Sequence, residues 1–207
     1  ATLNRVSRAM ENVRTGRLAW DKVIILTSNK NNAKESLEYH ILNEVSQLYK
    51  HTDIEVWARP VHIVEGKVLD TGSFDLSLKV IKTLIESGLN PKARVLIILD
   101  AGSGSRLYPV VAALVGKGEV AIPHVFEGNP LELTDQVYIQ SHMMLEDMPE
   151  GQGGFLILAN DHLLALGDKM AVTQGIWVYG HDYPMDKVKE ELVRLKWLVD
   201  IAEITVL

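Results

Sequence analysis

The stretch RVLIILDAGSGSRLYP at Arg94–Pro109 constrains the chain most, because an apolar run passes directly into a loop of small residues. Val95–Leu99 is continuously apolar and rich in branched side chains, which is typical of a strand buried on both faces of a parallel sheet. Gly102 and Gly104 let backbone N–H groups approach a ligand closely, and such groups suit phosphate oxygens. Arg106 adds a guanidinium that can form charge-assisted hydrogen bonds. These features favour a triphosphate-binding loop, with an ordinary strand-to-helix turn as the alternative.

Strand and helix patterns alternate along the chain, and this alternation predicts one α/β domain over residues 1–207 with about six to seven strands. The glycine-rich run at 151–154 indicates a flexible, hinge-like turn. The predicted buried strands are Lys22–Leu26, Val95–Leu99 and Phe155–Ala159, and the predicted longer helices include Ala33–Tyr49 and Leu131–Met148.

Composition narrows the possible partners and compartments. The 207 residues carry a net charge of −6, which argues against a duplex-DNA binder of the usual basic kind. Cysteine is absent, so disulfides and thiolate metal sites are excluded and a reducing, cytoplasmic location is expected. No apolar run approaches the roughly 20 residues of a membrane helix, and the first residues have no signal-peptide core, so no membrane partner is expected.

Three further residues are candidates for a phosphate or metal site. Lys117 lies between two glycines and is either a second phosphate contact or a solvated turn lysine. Ser73 precedes a predicted helix, where it can cap free N–H groups or border an anion site. Asp161 follows the strand Phe155–Ala159, and ligands of α/β sheets bind at such carboxyl ends. Its carboxylate suits Mg²⁺, while an Asx-turn that starts the next helix is the alternative.

The glycine loop and lysine resemble the signature of sugar-1-phosphate nucleotidyltransferases, a glycine-rich stretch followed by Arg-Leu-x-Pro and then a lysine. Here the signature is Gly102–Pro109 with Lys117. Within that superfamily, the chain is most similar to the pyrophosphorylase part of the L-fucokinase/GDP-fucose pyrophosphorylase group. Further stretches in the expected order extend the resemblance over residues 20–165: Trp20-Asp21 with Ile25–Asn29, Gly66–Ser73, and Ala159–Asp161.

The resemblance implies a Rossmann-like nucleotide-diphospho-sugar transferase fold of the GT-A kind, a three-layer sandwich around a mostly parallel sheet. The implied reaction joins a nucleoside triphosphate to a sugar 1-phosphate and releases pyrophosphate, with GTP and fucose 1-phosphate as the candidate pair. By resemblance, Arg106 and Lys117 offset the charge of the leaving pyrophosphate, and Asp161 holds Mg²⁺. The implied nucleotide-binding residues are Ala101, Gly102, Ser103, Gly104, Ser105, Gly72 and Ser73.

The chain also departs from the family pattern. Asp75 replaces a small residue after Gly72-Ser73, and that segment lacks the second glycine. The family usually has a longer C-terminal half that closes over the sugar, so the acceptor half is expected to be shortened. A minimal enzyme, a fragment and a protein that has lost activity all stay open. The alternative from another class is a non-catalytic nucleotide-binding or assembly domain that keeps the fold, and the oligomeric state is open.

Other nucleotide-binding and hydrolase motifs fit the sequence less well. A Rossmann dinucleotide motif fails because Leu107 stands where its third glycine belongs. A P-loop fails because Gly118, and not Ser or Thr, follows Lys117. The G-x-S-x-G elbow of serine hydrolases is absent.

Overall fold

The computed structural model describes residues 2–28, 32–65, 67–70, 73–100 and 121–160. In chain order, the elements are α1 (Thr2–Thr15), β1 (Lys22–Thr27), α2 (Ala33–Tyr39), a π-helical segment (His40–Glu44), α3 (Ser46–Tyr49), β2 (Asp53–Ala58), β3 (Val61–Val64), β4 (Lys67–Asp70), α4 (Ser73–Glu86), β5 (Arg94–Leu99), β6 (Ala121–Phe126), β7 (Asn129–Glu132), α5 (Leu133–Leu145) and β8 (Gly154–Ala159). The described residues all belong to one compact unit, Ala1–Met170. A single domain over 1–207 stays a prediction.

A four-stranded sheet in the order β2-β1-β5-β8 forms the centre of the described part, and all of its neighbouring strands are parallel. The predicted α/β class with a parallel sheet is therefore confirmed. Two antiparallel hairpins, β3-β4 and β6-β7, lie outside this sheet. No helix within the described ranges is long and apolar enough to cross a membrane.

Strands β1 and β5 are the interior of the sheet because their side chains are apolar on both faces. All four residues of Val23–Leu26 and all four of Val95–Ile98 have 0% exposure. Each fully buried branched side chain contributes roughly 1.5–3 kcal/mol relative to an exposed one. This burial agrees with the continuous apolar run from which the strand Val95–Leu99 was predicted, and the strand begins one residue earlier, at Arg94.

Two predicted helices differ from the observed elements. The predicted helix Ala33–Tyr49 contains a π-helical segment, in which the Val45 N–H donates to the His40 carbonyl at 3.0 Å. The spacing of the apolar residues does not reveal the π-helical segment, because it also fits an ordinary helix. The buried residues are Leu37, Ile41, Val45 and Leu48. The predicted helix Leu131–Met148 begins later, because Asn129–Glu132 pairs with β6 as a hairpin strand.

One glycine of the run before β8, Gly153, packs closely against another backbone segment, and the hinge expected at 151–154 stays a prediction. A β-carbon at Gly153 would overlap the Pro91 carbonyl oxygen and lie 2.6 Å from the Lys92 carbonyl carbon. At Gly154 the nearest atom to such a carbon would be the Met148 Cε at 3.8 Å, an ordinary contact. Glycine at 153 therefore lets two backbone segments pack against each other.

We expect Gly153→Ala to lower the free energy of unfolding by roughly 1–3 kcal/mol, because the obstructing atoms are backbone. The matched control is Gly154→Ala, which adds the same methyl group where it meets only an ordinary contact and should change the free energy of unfolding by less than about 1 kcal/mol. Urea unfolding of both variants measures the difference. Equal stability of the two variants would contradict the close packing at Gly153.

Candidate functional site

The carboxyl ends of β1 and β5 form the switch point of the sheet. The chain passes from β1 to β2 on one side, and β5 then pairs with β1 on its other side. In open α/β sheets, ligands bind outside the carboxyl ends of the strands at such a point. Thr27 is the last residue of β1 and Ser28 follows it, while Asp100 follows β5 and its N–H donates to the Leu26 carbonyl at 3.0 Å. The segment predicted to form the glycine loop directly follows Asp100 in the sequence.

A buried polar cluster joins the ends of β5 and β8 at the same edge. The Asn160 Nδ2 donates to Asp100 Oδ1 at 2.5 Å, and the Thr134 Oγ1 donates to the same oxygen at 3.3 Å. All three residues are buried. Asn160 Oδ1 is also buried and has no hydrogen-bond partner among the described residues. A carboxylate oxygen accepts hydrogen bonds, so the Asn160 amide is oriented with its donor, Nδ2, towards Asp100.

Helix α5 supplies Thr134 to this cluster and is itself fixed along its length. The Trp20 Nε1 donates to Ser141 Oγ at 2.8 Å, and that hydroxyl donates to the Tyr138 carbonyl at 2.6 Å. At the first turn, Asp135 Oδ2 accepts the Glu132 N–H at 2.8 Å.

A second buried cluster surrounds Asp135, which is fully buried. Its Oδ1 accepts the Tyr49 hydroxyl at 2.7 Å, and its Oδ2 lies 2.8 Å from His40 Nε2. The other ring nitrogen of His40 lies 2.7 Å from Glu44 Oε2 and 3.7 Å from Glu132 Oε1. The cluster connects the π-helical segment and α3 with the beginning of α5.

The charges around His40 outweigh the effect of burial on its pKa. Burial lowers the pKa of His40, but the hydrogen bond to Asp135 and the charge of its carboxylate raise it, with smaller increases from Glu44 and Glu132, to about 9. An imidazolium can donate from both ring nitrogens, as the contacts require. By contrast, burial lowers the pKa of His142 to about 4, although its bond to the Tyr138 carbonyl opposes the shift.

Most of the predicted site residues lie outside the described residues. These are Arg106, Lys117, Asp161, Gly72 and the loop residues Ala101, Gly102, Ser103, Gly104 and Ser105. Ser73 is the first residue of α4, whereas the sequence predicted that it precedes the helix. The structure does describe the residues that directly precede two of the predicted site segments. Asp100 precedes the glycine loop, and Asn160 precedes Asp161.

One stretch that contributes to the family resemblance lies away from this edge. The Asp21 Oδ2 accepts the Arg94 N–H at 2.8 Å, and the Asp21 N–H donates to the Arg94 carbonyl at 3.0 Å. Both contacts are at the amino ends of β1 and β5, so Trp20-Asp21 aligns the strands from the opposite edge.

Sequence reasoning missed the buried polar cluster. Asp100 and Asn160 each follow a buried apolar strand, and that repeated position was the available signal. Thr134 gave no signal, because its contact with Asp100 joins residues 34 positions apart through the packing of α5.

The raised pKa of His40 predicts a pH-dependent stability. With a pKa near 6.5 in the unfolded chain and about 9 in the folded chain, the contribution is full below pH 6.5 and is lost as the pH rises through about 9. The unaltered protein should therefore be more stable than His40→Gln at low pH, and this difference in unfolding free energy should fall by roughly 3 kcal/mol across the pH window. Urea unfolding at pH 6, 7.5 and 9 measures it.

His142→Gln is the control for that experiment. This variant also removes a buried histidine, but one whose pKa is lowered to about 4. It should therefore leave the pH dependence of the unfolding free energy between pH 7 and 9 unchanged. A His40→Gln difference that stays constant over pH 6–9 would mean that folding does not raise the pKa of His40.

Comparison of the chain with protein-family models, with curated proteins and with solved structures found no match.

Proposed function

We propose that the chain is a sugar-1-phosphate nucleotidyltransferase domain of the GT-A kind, joining a nucleoside triphosphate to a sugar 1-phosphate with release of pyrophosphate. GTP and fucose 1-phosphate are the candidate pair, by the resemblance given above. The supporting observation is the switch point, where Asp100 directly follows β5 beside the end of β1, and the glycine-rich sequence follows Asp100 along the chain.

The proposed chemistry needs no covalent nucleophile from the protein. A phosphate oxygen of the sugar 1-phosphate attacks the α-phosphorus of the triphosphate, and the bond from that phosphorus to the oxygen bridging to the β-phosphate breaks, so that pyrophosphate leaves. Backbone N–H groups of Gly102–Ser105 bind the triphosphate, and Arg106 and Lys117 bind the leaving pyrophosphate. Positioning and charge neutralisation supply most of the acceleration in reactions of this class.

The residues at the end of β8 fit Mg²⁺ by their chemistry. Asp161 supplies a carboxylate, and the adjacent Asn160 has a buried amide oxygen without a partner among the described residues. Oxygen donors of this kind suit Mg²⁺, which when bound neutralises charge on the phosphates. Within the described ranges, no group of three or more His, Cys, Asp or Glu side chains is arranged to hold a metal ion.

The absence of cysteine supports a cytoplasmic setting for this reaction. The second candidate is a non-catalytic domain that binds nucleotide or assembles with a partner, to which the departure from the family pattern after Gly72-Ser73 points. The two functions differ in one measurement. Release of pyrophosphate on addition of a sugar 1-phosphate supports the enzyme, whereas tight Mg²⁺-dependent binding without turnover supports the binding domain.

We expect Arg106→Ala and Lys117→Ala each to weaken triphosphate binding by about 10- to 100-fold, because each removes a charge-assisted contact with phosphate oxygens. Calorimetry with GTP, ATP and UTP in the presence of Mg²⁺ measures the affinities and identifies the preferred base.

Lys92→Ala is the matched control, since Lys92 is exposed beside the amino end of β5, at the edge opposite the proposed site. It should bind the triphosphate as the unaltered chain does. If the unaltered chain binds none of the three nucleotides, the proposed function is wrong. If Arg106→Ala and Lys117→Ala bind the triphosphate as tightly as the unaltered chain does, the assignment of Arg106 and Lys117 is wrong.

A further inference from the structure

We propose that the His40 ring is a one-sided, pH-sensitive clamp on the π-helical segment. When the ring loses a proton, it keeps its contact with Asp135 in α5 and releases Glu44 at the end of the segment. This behaviour does not depend on the proposed nucleotidyltransferase activity. All of the residues that take part in it lie within the described ranges.

The ring of His40 contacts carboxylate oxygens through both of its nitrogens. Nε2 lies 2.8 Å from Asp135 Oδ2, and Nδ1 lies 2.7 Å from Glu44 Oε2. An ionised carboxylate only accepts hydrogen bonds, so each contact requires an N–H on the ring. An imidazolium has two such groups, whereas a neutral imidazole has one. Loss of a proton therefore leaves one of the two carboxylates facing a nitrogen lone pair.

The burial of the two carboxylates determines which contact is lost. The side chain of Asp135 is 0% exposed, whereas that of Glu44 is 48% exposed. A buried acceptor that loses its donor bears its full desolvation penalty, because water does not reach it. Glu44, by contrast, can turn into solvent and accept hydrogen bonds from water. The remaining proton is consequently on Nε2, and the bond to Asp135 stays.

Other groups around the ring fix the Asp135 side of the contact. Asp135 also accepts the Tyr49 hydroxyl at 2.7 Å and the Glu132 N–H at 2.8 Å, so two further elements hold its carboxylate in place. Burial, together with the charge of Asp135, raises the pKa of Tyr49 well above its usual value, so this hydroxyl stays a donor when His40 loses its proton. Glu132 Oε1 faces His40 Nδ1 at 3.7 Å, which is too long for a hydrogen bond that would keep the proton there.

The contact that breaks spans the π-helical turn. Glu44 follows His40 by four residues, and the Val45 N–H donates to the His40 carbonyl at 3.0 Å across the same turn. While the ring is charged, both a backbone bond and a side-chain ion pair close this turn. After the proton is lost, the backbone bond stays and the side-chain contact does not. The release is therefore confined to the π-helical side of the ring.

Nitrogen NMR of the histidine rings at pH 7.5 and pH 10 tests which nitrogen keeps the proton, because the pKa of His40, about 9, lies between these values. The variant His40→Gln identifies the His40 signals by their absence. We expect protons on both ring nitrogens at pH 7.5 and on Nε2 alone at pH 10. A proton on Nδ1 at pH 10 would overturn the proposal.

The variant Glu44→Gln tests the release of Glu44 independently, through urea unfolding at the same two pH values. At pH 7.5 it should raise the equilibrium constant of unfolding by about 2- to 5-fold, as the loss of a half-exposed ion pair does. At pH 10 it should leave this constant unchanged, because the contact is already lost in the unaltered chain.

Glu11→Gln is the matched control. Glu11 is 53% exposed, and its carboxylate lies 3.2 Å from Arg14 Nη1, a group that keeps its charge at both pH values. The effect of Glu11→Gln should therefore be the same at pH 7.5 and pH 10. If Glu44→Gln also has the same effect at both pH values, loss of the proton does not release Glu44, and the proposal is wrong.

Discussion

Burial of β1 and β5 on both faces is the constraint on which the rest of the structure depends. Strands whose side chains are wholly apolar leave no room for chemistry within the sheet, so polar groups concentrate where the strands end. At the amino end, Asp21 bonds to the backbone of Arg94. At the carboxyl end, Asp100 and Asn160 pair with each other. The two edges use similar residue types, but one aligns strands while the other adjoins the proposed site.

Helix α5 contributes residues to both buried polar clusters of the described part. Consecutive residues of its first turn contact different clusters, with Thr134 reaching Asp100 and Asp135 reaching His40. Further along, Ser141 accepts the indole N–H of Trp20. A buried ion pair is by itself weak evidence for stability, but breaking one leaves an uncompensated charge. The arrangement of α5 therefore depends on complete satisfaction of these contacts.

The sequence predicted the α/β class, the buried strands and most element positions, because apolar periodicity reports directly on burial. It did not predict the π-helical segment, because the buried positions from Leu37 to Leu48 also fit an ordinary helix. It assigned Leu131 to a helix, because periodicity cannot register the pairing of Asn129–Glu132 with a distant strand. The polar cluster at Asp100 was missed for the same reason, since its contacts span 34 and 60 positions.

The π-helical segment has a consequence for comparing this chain with others of different length. A turn closed from His40 to Val45 holds one residue more than an α-helical turn. A one-residue gap in an alignment therefore belongs inside this helix, at His40–Glu44, and not in the neighbouring loops.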